Sequence, residues 1–391
     1  MKKICLVTGS RAEYGIMKPL IQRLSKDKEV NLQIIATAMH LEEKYGYTYR
    51  QIEEDGFDIA YKVPLHLYDT DRRTVSTAMA HLQLGLTKIF DKEDYDLVII
   101  LGDRYEMLPV VNVALIYNVP VCHLHGGETS LGNFDEYIRH AVTKMSHLHL
   151  VSTEDFRQRV IQMGEQPQFV INTGALGVEN ALSIPSLTKE AIEKQLGIVL
   201  EESYFVVLYH PVTFEQGKSA GEQMKAVLSA LSKFGVQCLF IGSNSDTGSD
   251  DIAKAINTYL INHENSYCFA SLSTQLYHSL IRHSLGLIGN SSSGLIEVPS
   301  LMKPTLNIGD RQKGRLHGES VVSVPVETSS VLEGLSKLNE VTNFDNPYYK
   351  GNASSIAYEA IKLYLKDEPS ISQPFYDLKE NNLKWKKSWH F

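Results

Sequence analysis

Acidic, histidine and arginine side chains collect in this chain where short apolar runs end. Leu101-Gly-Asp-Arg-Tyr-Glu106 sets an acid beside an arginine, an arrangement suited to expelling a phosphate. Arg104 would hold a diphosphate while Asp103 handles a proton; a plain helix N-cap is the other use for Asp103. His123-Leu-His-Gly-Gly-Glu128 and Asp135-Glu-Tyr-Ile-Arg-His140 follow, so Asp103, His125, Glu128 and Asp135 can converge if adjacent parallel strands deliver them to one rim. The paired glycines between His125 and Glu128 let backbone come close to a ligand. His-x-His beside carboxylates is also a metal pattern. Residues 123 and 125 share a face only if strand geometry runs through 125, however, and neither a metal nor a cofactor is expected.

Anion-binding features follow other apolar runs. Gly9-Ser-Arg-Ala-Glu-Tyr-Gly15 lacks the glycine spacing of a dinucleotide turn, so a nicotinamide cofactor is not expected. A strand-to-helix loop still aims N–H groups at an anion, and Arg11 adds a fork of donors suited to phosphate or, alternatively, to solvent. Tyr209-His-Pro211 puts His210 at a strand end, where it either faces a cleft or packs. Gly289-Asn-Ser-Ser-Ser-Gly-Leu-Ile-Glu297 joins a strand, a small-residue loop and a helix start. Ser291 and Ser292 there offer hydroxyls and N–H groups to a diphosphate. Glu297, about one turn into that helix, is placed to accept both ribose hydroxyls. A capping box is the alternative, but the step from Ser293 to Glu297 is one residue too long for it. Gly309-Asp-Arg-Gln-Lys-Gly-Arg315 adds Arg311 and Arg315, as cleft cations or solvated loop residues.

The elements that must position these groups alternate. Strands are expected at Ile4–Gly9, Leu32–Thr37, Leu97–Gly102, Val119–His123, Leu148–Ser152 and Phe169–Thr173, with amphipathic helices at Ile16–Leu24, Thr74–Phe90, Met107–Ile116 and Tyr137–Met145. Continuous apolar strands separated by helices predict a parallel sheet covered on both faces, with functional loops at the strands' C-terminal ends. Gly174–Lys189 breaks the rhythm with Gly, Ser and Pro and reads as a linker. A second alternation has strands at Phe205–Tyr209, Cys238–Ile241, Gly286–Ile288 and Thr305–Ile308, and helices at Gln223–Phe234, Asp251–Ile261, Gln275–His283 and Ser330–Leu338. Ser354–Leu365 reads as a last helix and Lys366–Phe391 as a polar tail whose two tryptophans pack.

The 391 residues suit two domains. With 43% hydrophobic and 21% charged residues the chain is ordinary globular material, and no stretch is long enough to cross a bilayer. The first apolar run is too short for a signal sequence, so a soluble, cytoplasmic protein is expected. A net charge of -8 without a basic run argues against nucleic acid and anionic membrane as partners. Cys5, Cys122, Cys238 and Cys268 lie in strand-like runs with no CxxC spacing and read as buried free thiols.

Taken together, GSRAEYG, LGDRYE, HLHGGE, DEYIRHAVTKMSHLHL, GNSSSGLIEVPSL and NIGDRQKGR closely resemble, in order and over essentially the whole chain, the hydrolysing UDP-N-acetylglucosamine 2-epimerases of bacterial sialic acid and capsule synthesis. The resemblance implies a GT-B fold: an N-terminal Rossmann-like domain over 1–178 with the catalytic acids, and a UDP-binding Rossmann-like domain over 179–352. A terminal helix and tail over 353–391 would return toward the first domain. It implies that UDP-N-acetylglucosamine and water become N-acetylmannosamine and UDP through 2-acetamidoglucal, the first step of sialic acid synthesis. By motif, Asp103 and Asp135 match catalytic acids. Arg104, Ser291 and Ser292 match diphosphate contacts, Glu297 the ribose ligand and Arg311 a further nucleotide-side arginine; Arg11 and His210 are assigned to the UDP side as well. Where some relatives carry a catalytic Glu, this chain has His125, so either His125 or Glu128 takes that role. Ser10-Arg-Ala-Glu13 in place of an arginine-proline opening favours the hydrolysing branch, and a homo-oligomer, dimer or tetramer, is expected. Three alternatives differ in chemistry: a hydrolysing epimerase of a UDP-diacetamido-trideoxyhexose, a GT-B glycosyltransferase, and a catalytically silent nucleotide-sugar binder.

Overall fold

The computed structural model describes residues 1–67, 71–130, 134–212, 219–242 and 248–378. Seven strands form a first, wholly parallel sheet: β1 (Lys2–Thr8), β2 (Val30–Thr37), β3 (Ile59–Val63), β4 (Leu97–Leu101), β5 (Val121–Leu124), β6 (Leu148–Val151) and β7 (Val170–Asn172), in the order β3-β2-β1-β4-β5-β6-β7. Six form a second parallel sheet: β8 (Tyr204–Leu208), β9 (Gln237–Ile241), β10 (Tyr267–Phe269), β11 (Gly286–Gly289), β12 (Thr305–Ile308) and β13 (Val321–Val324), in the order β10-β9-β8-β11-β12-β13. Helices cover both faces of each sheet. Alternation along β1 sends Ile4 and Leu6 into one core and Cys5 and Val7 into the other, and Tyr204 and Val206 oppose Phe205 and Val207 in the same way on β8. Two doubly wound domains facing each other make the GT-B fold.

The strand order reverses between β1 and β4 in one sheet and between β8 and β11 in the other. At such a switch point the loops leaving neighbouring strands diverge and open a crevice. The loops leaving these four strands are the segments beginning at Gly9, Gly102, Tyr209 and Asn290, which carry Arg11, Asp103, Arg104, His210, Ser291 and Ser292.

Three strands escape the sequence reading, and all are sheet edges: β3, β10 and β13. Each is covered on one face or neither; Lys62 and Ser323 interrupt the apolar runs of β3 and β13, and β10 is only three residues long. The same exposure corrects the reading of Cys268 as buried, because it sits on β10. The largest correction concerns the expected linker. Helix Leu176–Ser183 lies inside it, contributing Leu176, Val178 and Ala181 to three different cores. Gly177 and the flanking Gly174 and Pro185 made the segment read as loop, whereas Gly177 is glycine for want of space beside a neighbour described below. Helix Ala353–Asp367 packs on the first sheet, placing Ala357, Ile361 and Tyr364 in the core formed by Ile4, Leu6 and helix Arg11–Lys26. The expected tail tryptophans, Trp385 and Trp389, lie outside the described residues. No helix among the described residues is long and apolar enough to cross a membrane.

Candidate active site

Two adjoining cavities lie between the sheets, about 240 Å³ and 140 Å³ in volume. They share a wall of Ser10, Ala12, Ile16, Gly177, Ser292 and Glu297. Grooves of about 780 Å³ and 750 Å³ elsewhere are larger but lack arginines, and one of about 860 Å³ along helix Arg11–Lys26 gathers Arg11, Arg23, Asp55 and Glu179 but none of Asp103, His125 or Ser291.

The larger cavity is the phosphate-friendly one. Arg11, His210, Ser291, Ser292, Ser293, Glu297 and Arg311 all line it. Asn290 stitches the switch point together: its Oδ1 accepts from the His210 N–H at 2.7 Å and its Nδ2 donates to the His210 carbonyl at 2.8 Å. Arg311 Nη1 donates to the Asn290 carbonyl at 3.1 Å, and Arg11 Nη1 donates to Ser271 Oγ at 3.0 Å from the opposite sheet. Burial first, then Arg311 and Arg104, push the His210 pKa well below its usual value, so the imidazole there is neutral. Glu297 stands one turn after the helix start as expected, its N–H donating to the Ser293 carbonyl at 2.8 Å, but the helix goes no further. Helix Ser293–Ile296 stops after four residues and Glu297 ends it, because a proline follows at 299 and the chain tightens into a 3₁₀ turn. Its carboxylate pairs with His278 Nε2 at 3.1 Å. A Cβ on Gly177 would fall 2.4 Å from Glu297 Oε1, which is why that helix position is glycine.

The smaller cavity holds the acids. Asp103, Arg104, His125, Glu128, Arg139 and Arg315 line it. Strand β5 ends at Leu124 and His125 turns away at φ 63, a left-handed conformation in which a non-glycine residue is strained. His123 therefore points elsewhere, its Nε2 on the Gly102 carbonyl at 2.7 Å and its Nδ1 against Thr143 Oγ1 at 3.2 Å, and His-x-His does not form one ligand face. His125 Nδ1 meets Glu128 Oε1 at 3.0 Å, while its Nε2 is buried with no hydrogen-bond partner. Both Glu128 oxygens are engaged, Oε1 also by Ser152 Oγ at 2.6 Å and Oε2 by Arg315 Nη2 at 2.7 Å.

Arg139, one turn into helix Asp135–Lys144, is the residue that sequence reasoning missed. It is 3% exposed. Its Nη1 donates to the His125 carbonyl at 2.7 Å, and its Nη2 to Asp103 Oδ2. The available signal was its spacing, four residues after Asp135 on one helix face. Asp135 itself is buried as the first residue of that helix and acts electrostatically on Arg139, but it does not line the described cavity. Burial pushes Asp103 and Glu128 up, yet the arginines win in both. Arg139, then Arg315 and Arg311, lower Asp103; Arg315, His125 and Arg139 hold Glu128 far below the carboxylate range. Both are ionised.

Beside this cluster, Arg104 is gripped by Glu106 through Nη2 at 2.9 Å and approaches Glu13 at 3.7 Å. Burial raises Glu13 to about 7, Arg104 opposing and Glu106 reinforcing the rise. Among the described residues no group of three or more His, Cys, Asp or Glu is arranged to hold a metal ion.

The family profile described as UDP-N-acetylglucosamine 2-epimerase matches residues 22–362. Over 388 residues the chain is 43% identical to polysialic acid biosynthesis protein P7 of Escherichia coli, covering 97% of this chain and 98% of that one. It is 35% identical to a hydrolysing UDP-N,N'-diacetylbacillosamine 2-epimerase of Legionella pneumophila, covering 93% and 96%. The crystal structure of UDP-GlcNAc 2-epimerase from Neisseria meningitidis, bound to UDP-GlcNAc, superposes with a TM-score of 0.76 at 20% identity, over 92% of this chain and all of that one.

Proposed function

The chain belongs to the UDP-N-acetylglucosamine 2-epimerase family, and we propose that it is a hydrolysing member, converting UDP-N-acetylglucosamine and water to N-acetylmannosamine and UDP. The observation that carries this reading is the junction of the two cavities. A diphosphate on Arg11, Arg104, Arg311 and the Ser291–Ser292 loop, with its ribose on Glu297, puts the sugar against Asp103 and His125. The C2–H bond breaks to a side-chain base, its electron pair becomes the C1–C2 double bond, and the C1–O bond to UDP breaks to leave 2-acetamidoglucal. Water then adds its oxygen to C1, and C2 receives a proton on the opposite face. Inversion at C2 needs a proton carrier on each face. The ionised Asp103 and the unpaired Nε2 of His125 are the pair available. Glu128, engaged on both oxygens, orients His125 rather than carrying the proton itself. Of the two residues left open by the sequence, His125 takes the chemistry. Arginines and the serine loop neutralise the departing UDP.

An NMR time course with UDP-N-acetylglucosamine in deuterated water tests the reading. Free N-acetylmannosamine and UDP should appear together, with deuterium at C2. Accumulation of UDP-N-acetylmannosamine would assign the chain to non-hydrolysing epimerases instead. A second reading, hydrolysis of UDP-diacetylbacillosamine, is favoured by the name and 35% identity of the Legionella relative. The ratio of kcat/KM for the two sugars decides between them.

A further inference from the structure

The cluster around His125 is not completed by its own half of the molecule. Arg315 comes from the loop after β12 and crosses the cleft to Glu128, with both residues buried, at 6% and 1% exposure. Arg315 is tied to the nucleotide side too: its Nη1 donates to Gln312 Oε1 at 2.8 Å, and Gln312 Nε2 donates to the Asn290 carbonyl at 2.9 Å, the same oxygen that Arg311 contacts. One run of hydrogen bonds therefore leads from the backbone beside Ser291 through Gln312, Arg315 and Glu128 to the ring of His125. Tyr348 anchors the loop from behind by donating to the Leu316 carbonyl at 2.8 Å.

We infer that Arg315 is a positioning residue, which holds Glu128 and through it His125 from across the cleft, so that the proton-carrying imidazole is set only when the nucleotide-bearing half closes on the acid-bearing half. The inference rests on the hydrolysing reading above. It goes further in assigning the last link of the site to a residue that acts through Glu128 rather than on the substrate. The geometry carries it: a buried carboxylate between an imidazole and a guanidinium fixes the ring's orientation and tautomer as a paired group can, and loses that hold when one partner is withdrawn.

The groups facing Glu128 are His125 from its own turn, Asp103 from the β4 loop, Arg139 from helix Asp135–Lys144, Arg315, and Tyr348. Removing Arg315 leaves Arg139, 3.7 Å from Glu128, as the remaining cation, so the carboxyl titrates at higher pH in the variant. The acid limb of the rate profile then moves upward, since turnover needs Glu128 ionised.

The test uses the full chain with UDP-N-acetylglucosamine as substrate and the variants Arg315→Met, Arg315→Lys, Glu128→Gln and their doubles. Arg315→Met should lower kcat about 10²-fold, the lower range for a positioned proton carrier. UDP affinity by titration calorimetry should hold, the acid limb should shift to higher pH, and Arg315→Lys should recover part of both effects. In the Glu128→Gln background, Arg315→Met should add almost nothing. Additive losses, or a loss of UDP affinity matching the loss of kcat/KM, would make Arg315 a direct ligand of UDP-sugar and overturn the inference. If Arg315→Met does not fold, Arg315→Lys carries the test through its pH profile and its cycle with Glu128→Gln. Normal wild-type product with unimpaired Arg315 variants defeats this inference alone; a wild type that releases no N-acetylmannosamine defeats the parent reading and this one with it.

Discussion

At the residue scale, neighbours decide what each ionisable group does. Asp103 and Glu128 are held ionised by arginines, whereas the buried Glu13, which shares Arg104 with Glu106, keeps its proton to about pH 7. Asp103→Asn and Asp135→Asn delete a charge while keeping size. Asp103→Asn should lower turnover by about 10²–10⁴-fold, and Asp135→Asn, which acts through Arg139, by less, both leaving UDP affinity intact because neither carboxylate would attract a diphosphate. Near-normal steady-state rates in Asp103→Asn would break the mechanism while leaving the UDP site standing. His125→Ala should cost more turnover than Glu128→Gln, since the first removes the unpaired Nε2 and the second only its support; the reverse order would return the proton to Glu128. Glu13 gives a stability test. Its folded pKa is raised from 4.5 to about 7, so the folded protein binds the extra proton. That stability is fully present below about pH 4.5 and is lost as pH rises through about 7. Glu13→Gln mimics the protonated acid and should flatten this fall in Tm between those limits; an unchanged slope would mean Glu13 stays ionised.

At the element scale, the site is assembled where strand order reverses. Loops leaving β1, β4, β8 and β11 supply Arg11, Asp103, Arg104, His210 and the serines, those leaving β5 and β12 add Glu128, Arg311 and Arg315, and the short helix Leu176–Ser183 closes the wall between the cavities. That helix reaches Glu297 because residue 177 has no side chain. Gly177→Ala should push Glu297 off its position and weaken UDP binding in calorimetry, as Glu297→Ala and Ser291→Ala should. Helix propensity favours alanine by about 1 kcal/mol, so folding should survive the change. Wild-type UDP affinity in Gly177→Ala would mean that Glu297 does not touch the nucleotide.

At the scale of the whole molecule, the chain's last described helix completes its first core. Ile361 is fully buried against Ile4, Leu6 and helix Arg11–Lys26. Ile361→Ala should cost about 2–5 kcal/mol in denaturant unfolding, as a cavity in a packed core does. An unaltered midpoint would place the helix outside the core. The two halves meet through Glu128 and Arg315, and arginines gather in the cavities where the proposed leaving group would sit. Turnover should therefore withstand exhaustive chelation, and a strict requirement restored by one divalent ion would refute the metal-free mechanism.

Central strands were legible in the sequence because burial on both faces forces continuous apolar runs, and those runs ended where Asp103, His125, Ser291 and Arg311 begin. Local chemistry at strand ends is written in consecutive residues, so the serine-rich loop and the adjacent Asp103 and Arg104 at the cavity walls could be read directly. The edge strands β3, β10 and β13 could not, since an edge imposes little hydrophobic pattern on its residues. Nor could the helix at Leu176, whose glycine answers to Glu297, 120 positions away in the chain. The choice between His125 and Glu128 was undecidable in one dimension. The proposed choice of His125 rests on a left-handed φ, on an arginine one turn into the following helix, and on another from the far side of the cleft. Sequence alone settled which groups stand at the rims. Tertiary structure decided which of them touch, because contact between residues remote in the chain depends on how the two sheets face one another.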